Sequence, residues 1–242
     1  IKDINDIPEG TKLNSKDAII VQATKENKAV IQEEHLKHWL SSLTYPIFHF
    51  DFETFDTAIP QFDTSRAWQK IPFQYSCHIE HEDGTIEHKE FLAEGEVDPR
   101  PAILESMKNL FQGTTGDILV YYQTFEKGRF QELARDFPEH ADWIQNVLDR
   151  IQDLYMPFSQ RWYYNPTQHG SASIKYVLPA INGLSYEGLN IKNGGDASVL
   201  YYQSHFQPPF ENRDSLRTDL LAYCKLDTLA EVEILGELRR FL

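Results

Sequence analysis

Apolar and polar positions alternate most regularly between Tyr45 and Phe55, where the chain reads YPIFHFDFETF. Successive side chains of a strand point to opposite faces, so Phe48, Phe50 and Phe52 share one face and His49, Asp51 and Glu53 the other. The alternation predicts a strand over 45–55, bounded by Pro46. Two more strands are expected at 72–80 and 85–92, because Asp83-Gly84 between them is a strong hairpin signal. Pro101 opens an expected helix that runs to Phe111, since proline is tolerated in a first helical turn. Gly116 and Asp117 then precede a short β-rich run, Ile118–Tyr122. Apolar spacing of three and four residues predicts helices at about Lys127–Asp136 and Pro138–Ile151, and shorter ones at Ser173–Leu178 and Asp196–Tyr202. The same spacing predicts a long helix, or two, over Arg213–Leu242. Residues 1–40 are polar, with a helix expected near Gln32–Leu43 after a short apolar stretch at Ala18–Val21. Strands first, then helix, strand and helices, describe an α/β domain with a mixed sheet covered by helices. Residues 1–44 are read as an N-terminal extension or linker, and 45–242 as the domain.

The 242 residues carry 23 basic against 37 acidic side chains, a formal charge of −14. Hydrophobic content of 41% with 13% aromatic residues excludes a disordered chain. No apolar run approaches the roughly 20 residues of a membrane span. Two cysteines, Cys77 and Cys224, fit a reducing compartment, so a cytoplasmic location is expected. The chain begins at Ile1, with no signal-peptide pattern, and is read as excised from a longer protein or processed. Its acidity argues against coating duplex nucleic acid or a membrane surface, where phosphate neutralisation by basic side chains supplies the affinity. The charge is uneven, however. Residues 80–98 hold eight acids against Lys89 alone, whereas 157–194 hold Arg161, Lys175 and Lys192 against Glu187.

Asp51 and Glu53 are the first candidate chemistry. Two carboxylates on one strand face repel each other and are costly to bury unless a cation lies between them. Hard divalent ions take such oxygen ligands. A half-exposed strand with a wet polar face has the same pattern. Tyr223 and Asp227, four apart, share one face of the last helix, a spacing common on helix surfaces. Glu126 follows the strand at Ile118–Tyr122 and opens the next helix, where an acid complements the helix dipole. His78, His81 and His88 surround the hairpin, but the two cysteines are far apart and zinc is not expected. Asn193-Gly194-Gly195 lacks the spacing of a dinucleotide or phosphate loop and reads as a turn. There is no Gly-x-Ser-x-Gly elbow, and Cys77 lies within a strand, so nucleophilic catalysis is not expected.

In combination these three elements resemble the motifs of the DnaQ-like 3′–5′ exonucleases, in the ribonuclease H-like superfamily and the tyrosine variant of the four-acid DEDD group. The motifs stand here as Asp51-Phe52-Glu53-Thr54, Tyr122-Gln123-Thr124-Phe125-Glu126, and Tyr223 through Asp227. The histidine variant would need histidine at 222, which is alanine. Glu126 departs from the family, whose second motif usually has aspartate. Segments 153–158 and 170–181 are similar to an uncharacterised bacterial branch often fused behind RecB-like nuclease segments, which implies such an upstream segment or a partner protein.

The resemblance implies a ribonuclease H-like mixed sheet and a two-metal hydrolysis of DNA or RNA that releases nucleoside 5′-monophosphates from single-stranded 3′ ends. Two ions, Mg²⁺ or Mn²⁺, would clamp the attacking and leaving oxygens. By this analogy Asp51 bridges both ions, Glu53 and Asp227 complete one, Glu126 helps to hold the other, and Tyr223 orients the attacking water. Thr54 and Phe55 are expected at the terminal nucleotide and Lys127 and Arg129 at phosphate. Lys175 lies among aromatic residues suited to single-strand stacking. Asp153 is expected to support the site from behind. A reading from another class is a catalytically silent nuclease-like module that binds nucleic acid or a partner within a larger nuclease.

Overall fold

The structure is a computed structural model that describes residues 3–207 and 209–242. In chain order it contains α1 (Ser15–Glu26), β1 (Val30–Ile31), α2 (Glu33–Ser41), β2 (Ile47–Phe55), β3 (Ile71–Glu80), β4 (Ile86–Leu92), α3 (Pro99–Phe111) and β5 (Ile118–Val120). There follow α4 (Thr124–Asp136), α5 (Ala141–Asp149), β6 (Ile151–Asp153), α6 (Met156–Ser159), β7 (Tyr163–Tyr164), α7 (Ile174–Asn182), α8 (Gly194–Phe206) and α9 (Arg213–Arg240). The chain divides into two compact units. The smaller takes the described residues up to Leu43 together with Asp153–Ser185 and Glu233–Leu242, and the larger takes Thr44–Gln152 and Tyr186–Val232.

The larger unit is built on a five-stranded sheet in the order β4-β3-β2-β5-β6. β2 pairs antiparallel with β3 and parallel with β5, and β3 pairs antiparallel with β4, so the sheet is mixed. Flanked by helices, it has the α/β architecture that the pattern of strands and helices predicts. The alternation of β2 has its expected consequence. Phe48, Phe50 and Phe52 enter a core with Met107 and Phe111 of α3, Phe130 and Leu133 of α4, and Ile144 and Val147 of α5. Burying a side chain of this size is worth about 1.5–3 kcal/mol, so this face holds the helices to the sheet.

His49, Asp51 and Glu53 take the opposite face, where their cross-strand neighbours on β3 are His78, Ser76 and Gln74. Helix α9 covers this polar face through hydrogen bonds: Gln74 Nε2 donates to the Leu220 carbonyl at 2.9 Å, and Thr228 Oγ1 lies 2.7 Å from Ser76 Oγ. These bonds fix which residues of α9 stand over which residues of β2. At the start of the sheet Gly116 is required by a close approach, since a Cβ there would lie 1.9 Å from the Pro46 carbonyl oxygen. Asp117 closes the same junction, accepting from Thr44 N at 2.7 Å and giving its carbonyl to Phe48 N at 2.9 Å.

In the smaller unit β1 and β7 form a two-stranded ladder, Val30 opposite Tyr164 and Ile31 opposite Tyr163. Ile19 and Ala23 of α1 pack with Tyr164. Ile19 and Ala23, within the segment read as an extension, therefore share a core with Tyr164 far along the chain.

Several elements differ from expectation. Ala18–Val21 lies inside α1, of which only Ile19 and Ala23 are buried, so the apolar stripe is too narrow to signal a helix. The helix expected to reach Ile151 ends at Asp149 and β6 follows. Asn193-Gly194-Gly195 is not a free turn but the start of α8: the Asn193 side chain caps it by accepting from Asp196 N. Arg213–Arg240 is a single helix of 28 residues. Among the described residues no helix is long and apolar enough to cross a membrane.

Candidate metal centre

Asp51 and Glu53 leave β2 on its polar face, and Asp227 reaches the same place from α9. One carboxylate oxygen of each lies within 4.8 Å of the other two. The helix can come this close because Cys224, a small buried residue, faces β2 there; its Sγ lies 3.9 Å from the Asp51 carbonyl oxygen. Asp51 and Asp227 remain partly exposed, whereas Glu53 is buried. The first turn of α8 abuts Glu53: a Cβ on Gly194 would sit 3.3 Å from Glu53 Oε2. A helix N-terminus carries partial positive charge and favours an anion beside it.

Glu126 arrives from the first turn of α4, just after the turn that leaves β5. Tyr122, in the turn that leaves β5, has φ of 76° and its side chain is half exposed. Left-handed backbone at an aromatic residue costs of order 1–3 kcal/mol and persists only where the surroundings impose it. Glu126 itself is only 2% exposed and is hydrogen-bonded to Asp51, standing beside the close triad rather than within it. A hydrogen bond between two carboxyl groups needs a proton on one of them. A bound cation removes that need.

The electrostatics point the same way. Burial, and next the charge of Asp227, hold the Asp51 carboxyl well above the usual carboxylate range. Glu231, one helical turn beyond Asp227, is pushed up by burial and then by Asp51, Glu126 and Asp227. Tyr223 is buried, and burial with Asp227 and Glu53 keeps its phenol protonated. Carboxylates that raise one another in this way favour any cation that joins them, and an all-oxygen donor set suits a hard divalent ion such as Mg²⁺ or Mn²⁺. The residues present therefore fit the metal that the sequence suggests.

The histidines near the hairpin are engaged otherwise. His78 Nδ1 lies 2.8 Å from Thr228 Oγ1, and His88 Nε2 lies 2.9 Å from Ser76 Oγ. Both cysteines are free thiols.

The remaining expected site residues are placed as follows. Thr54 is buried, at the strand position after Glu53, where the register of β2 shifts. Phe55 is core, packed between Phe73, Tyr201 and Phe206. Lys127 is half-buried on α4. Arg129 pairs with Glu132 at 2.7 Å and stacks on the Phe125 ring, so its guanidinium is already occupied. Asp153 and Lys175 belong to the smaller unit. There the Asp153 carboxylate accepts from Tyr155 N at 3.0 Å, and Lys175 is exposed on α7.

Three residues that sequence reasoning did not place in the site also converge on it. Tyr186 donates from its hydroxyl to Asp227 Oδ1 at 2.7 Å. Glu231 Oε2 approaches Nδ1 of His49, a side chain with no exposure. Glu231 and His49 had a signal in the sequence, four residues after Asp227 on a helix and two before Asp51 on a strand, hence on the same faces. Tyr186 had none, because it lies in a segment without regular spacing.

Comparison with known proteins adds the following. A Mycoplasma pneumoniae protein named "Uncharacterized protein MG366 homolog" is 25% identical over 244 residues, covering 88% of this chain and 35% of that protein. This chain thus spans about a third of the length of that relative. No solved structure matches it. Residues 48–173, which include Asp51, Glu53 and Glu126, match the family described as "Domain of unknown function (DUF2779)". That match takes in more than half of the chain, and the chain belongs to this family.

Proposed function

We propose that the chain is a metal-dependent 3′–5′ exonuclease acting on single-stranded ends of DNA or RNA. The observation that carries this reading is the convergence of Asp51, Glu53 and Asp227 within 4.8 Å, from a strand and a helix more than 170 residues apart. Glu126 on Asp51 and the buried Tyr223 complete the set of groups that the motif resemblance requires. Mg²⁺ or Mn²⁺ held by these carboxylates would supply a water nucleophile at neutral pH and charge neutralisation at the phosphate.

The protein's own groups do the rest. Asp51, partly exposed and in contact with both Glu126 and the close triad, would be the central carboxylate holding the metal. Tyr223 stays protonated and so acts as a hydrogen-bond donor that orients a water, not as a base. The buried walls around Glu53 and Glu126 keep the carboxylates in fixed positions, which is the preorganisation that phosphoryl chemistry depends on. An acidic protein need not coat its substrate to act on an end, and bound cations offset part of the local negative charge.

Release of mononucleotides from a 3′-labelled single strand in Mg²⁺ or Mn²⁺ tests the proposal. The expected result is release by the wild-type chain and none by Asp51→Ala. Nucleic-acid binding without hydrolysis in any divalent ion would instead identify the silent binding module.

A further inference from the structure

The segment that leads from Tyr186 into α8 touches the centre at two points. At one end the Tyr186 hydroxyl is on Asp227, and at the other Gly194 lies against Glu53. Between them Asn190 Nδ2 donates to Asp219 of α9 at 3.0 Å, which ties the segment to the helix that carries Asp227. We propose that Tyr186 is a positioning residue of the metal centre, its hydroxyl holding Asp227 in the orientation that faces Asp51 and Glu53. The inference rests on the metal-dependent reading above.

Three observations support it. Asp227 is partly exposed, and the terminal torsion of an aspartate is soft, so its carboxylate needs an external donor to stay aimed. Tyr186 is 8% exposed with its ring 6.2 Å from that of Tyr223, so the phenol is itself held rigidly by packing. The bond falls on Oδ1 of a carboxylate that also belongs to the close triad, so it bears directly on how that carboxylate faces Asp51 and Glu53. The two tyrosines thus divide the work: Tyr186 aims the ligand, whereas Tyr223 is available to the water. The absence of a side chain at Gly194 serves the same geometry from the other side, leaving Glu53 room to face the triad.

Calorimetric titration of the whole chain with MnCl₂ tests this without reference to turnover. Tyr186→Phe keeps the ring and removes only the donor; it is expected to weaken Mn²⁺ binding about tenfold, the size of one charge-assisted hydrogen bond. Gly194→Ala, which presses on Glu53 from the same segment, is expected to weaken it by a smaller factor. Wild-type affinity in Tyr186→Phe would overturn the positioning role while leaving the metal reading intact. If the wild-type chain takes up no Mn²⁺ at all, the metal reading falls and this inference with it.

Discussion

Glu231 Oε2 lies 4.0 Å from Nδ1 of His49, and neither side chain has appreciable exposure. The same glutamate accepts from the backbone N–H of Tyr121, at the end of β5. One buried carboxyl of α9 therefore bonds the chain that leads into α4 and stands against β2, the strand of Asp51 and Glu53. His49 continues the chain to Glu80, with Nε2 at 3.3 Å from Glu80 Oε2. Glu231→Ala strands the Tyr121 N–H and leaves a cavity, and is expected to cost about 2–4 kcal/mol in urea unfolding. Glu231→Gln keeps an acceptor for Tyr121 and should cost less than half of that.

Metal-free, the triad is a source of instability. An acid whose folded-state proton affinity is raised weakens the fold as pH climbs from its unfolded value toward its folded one. The contribution of Asp51 to the stability of the metal-free protein should accordingly fall as pH rises above about 4, the ordinary carboxylate range, opposite in sign to the histidine contribution below. Asp51→Asn removes the repulsion with Asp227 and is expected to raise the melting temperature of the metal-free protein by several degrees. Added Mn²⁺ should stabilise the wild-type chain and leave Asp51→Asn unmoved. Thermal melts with and without the ion check both signs.

The acid side of the profile belongs to His78. Burial, then His88, His49 and Lys225, lower its pKa to about 4. The unfolded chain therefore binds the proton first, between about pH 6.5 and 4, and the stability that His78 contributes falls as pH drops through that window. In the fold the neutral imidazole is held by Thr228 Oγ1 at 2.8 Å. His78→Gln should flatten this part of the profile in urea titrations at a series of pH values. Thr228→Val deprives both His78 and Ser76 of a buried partner, with an expected cost of about 1–3 kcal/mol.

Much of this was legible in the sequence because it is local. The alternation over Ile47–Phe55 sorted three phenylalanines into the core and placed Asp51 and Glu53 together on the other face. The Tyr223–Asp227 spacing put those two on one face of α9. The two-residue strands β1 and β7 were not legible, since Val30–Ile31 and Tyr163–Tyr164 are too short to show a period and pair only through contacts far apart in sequence. Asn193-Gly194-Gly195 looked like a turn because glycine is a poor helix former. Its reason is tertiary: Gly194 lies where a side chain would crowd Glu53. Phe55 looked available to a substrate from its place beside Glu53, yet the register shift between Glu53 and Thr54 accompanies its entry into the aromatic core.

Glu126 stands where the resembling family usually has aspartate, and its side chain is hydrogen-bonded to Asp51. Glu126→Asp should draw the carboxylate back and lower Mn²⁺-dependent hydrolysis roughly tenfold, with each lost 1.4 kcal/mol of transition-state stabilisation worth that factor. Single-turnover rates on a labelled strand measure it.

Carboxylates from β2 and α9 converge in one place, and the proposed function requires that they hold divalent cations there. A crystal soaked in MnCl₂ and recorded at a wavelength where manganese scatters anomalously tests this most directly. Two anomalous peaks between Asp51 and Asp227, with Glu53 and Glu126 contributing ligands, are the predicted result. A map with no peak at these carboxylates at millimolar Mn²⁺ would contradict it.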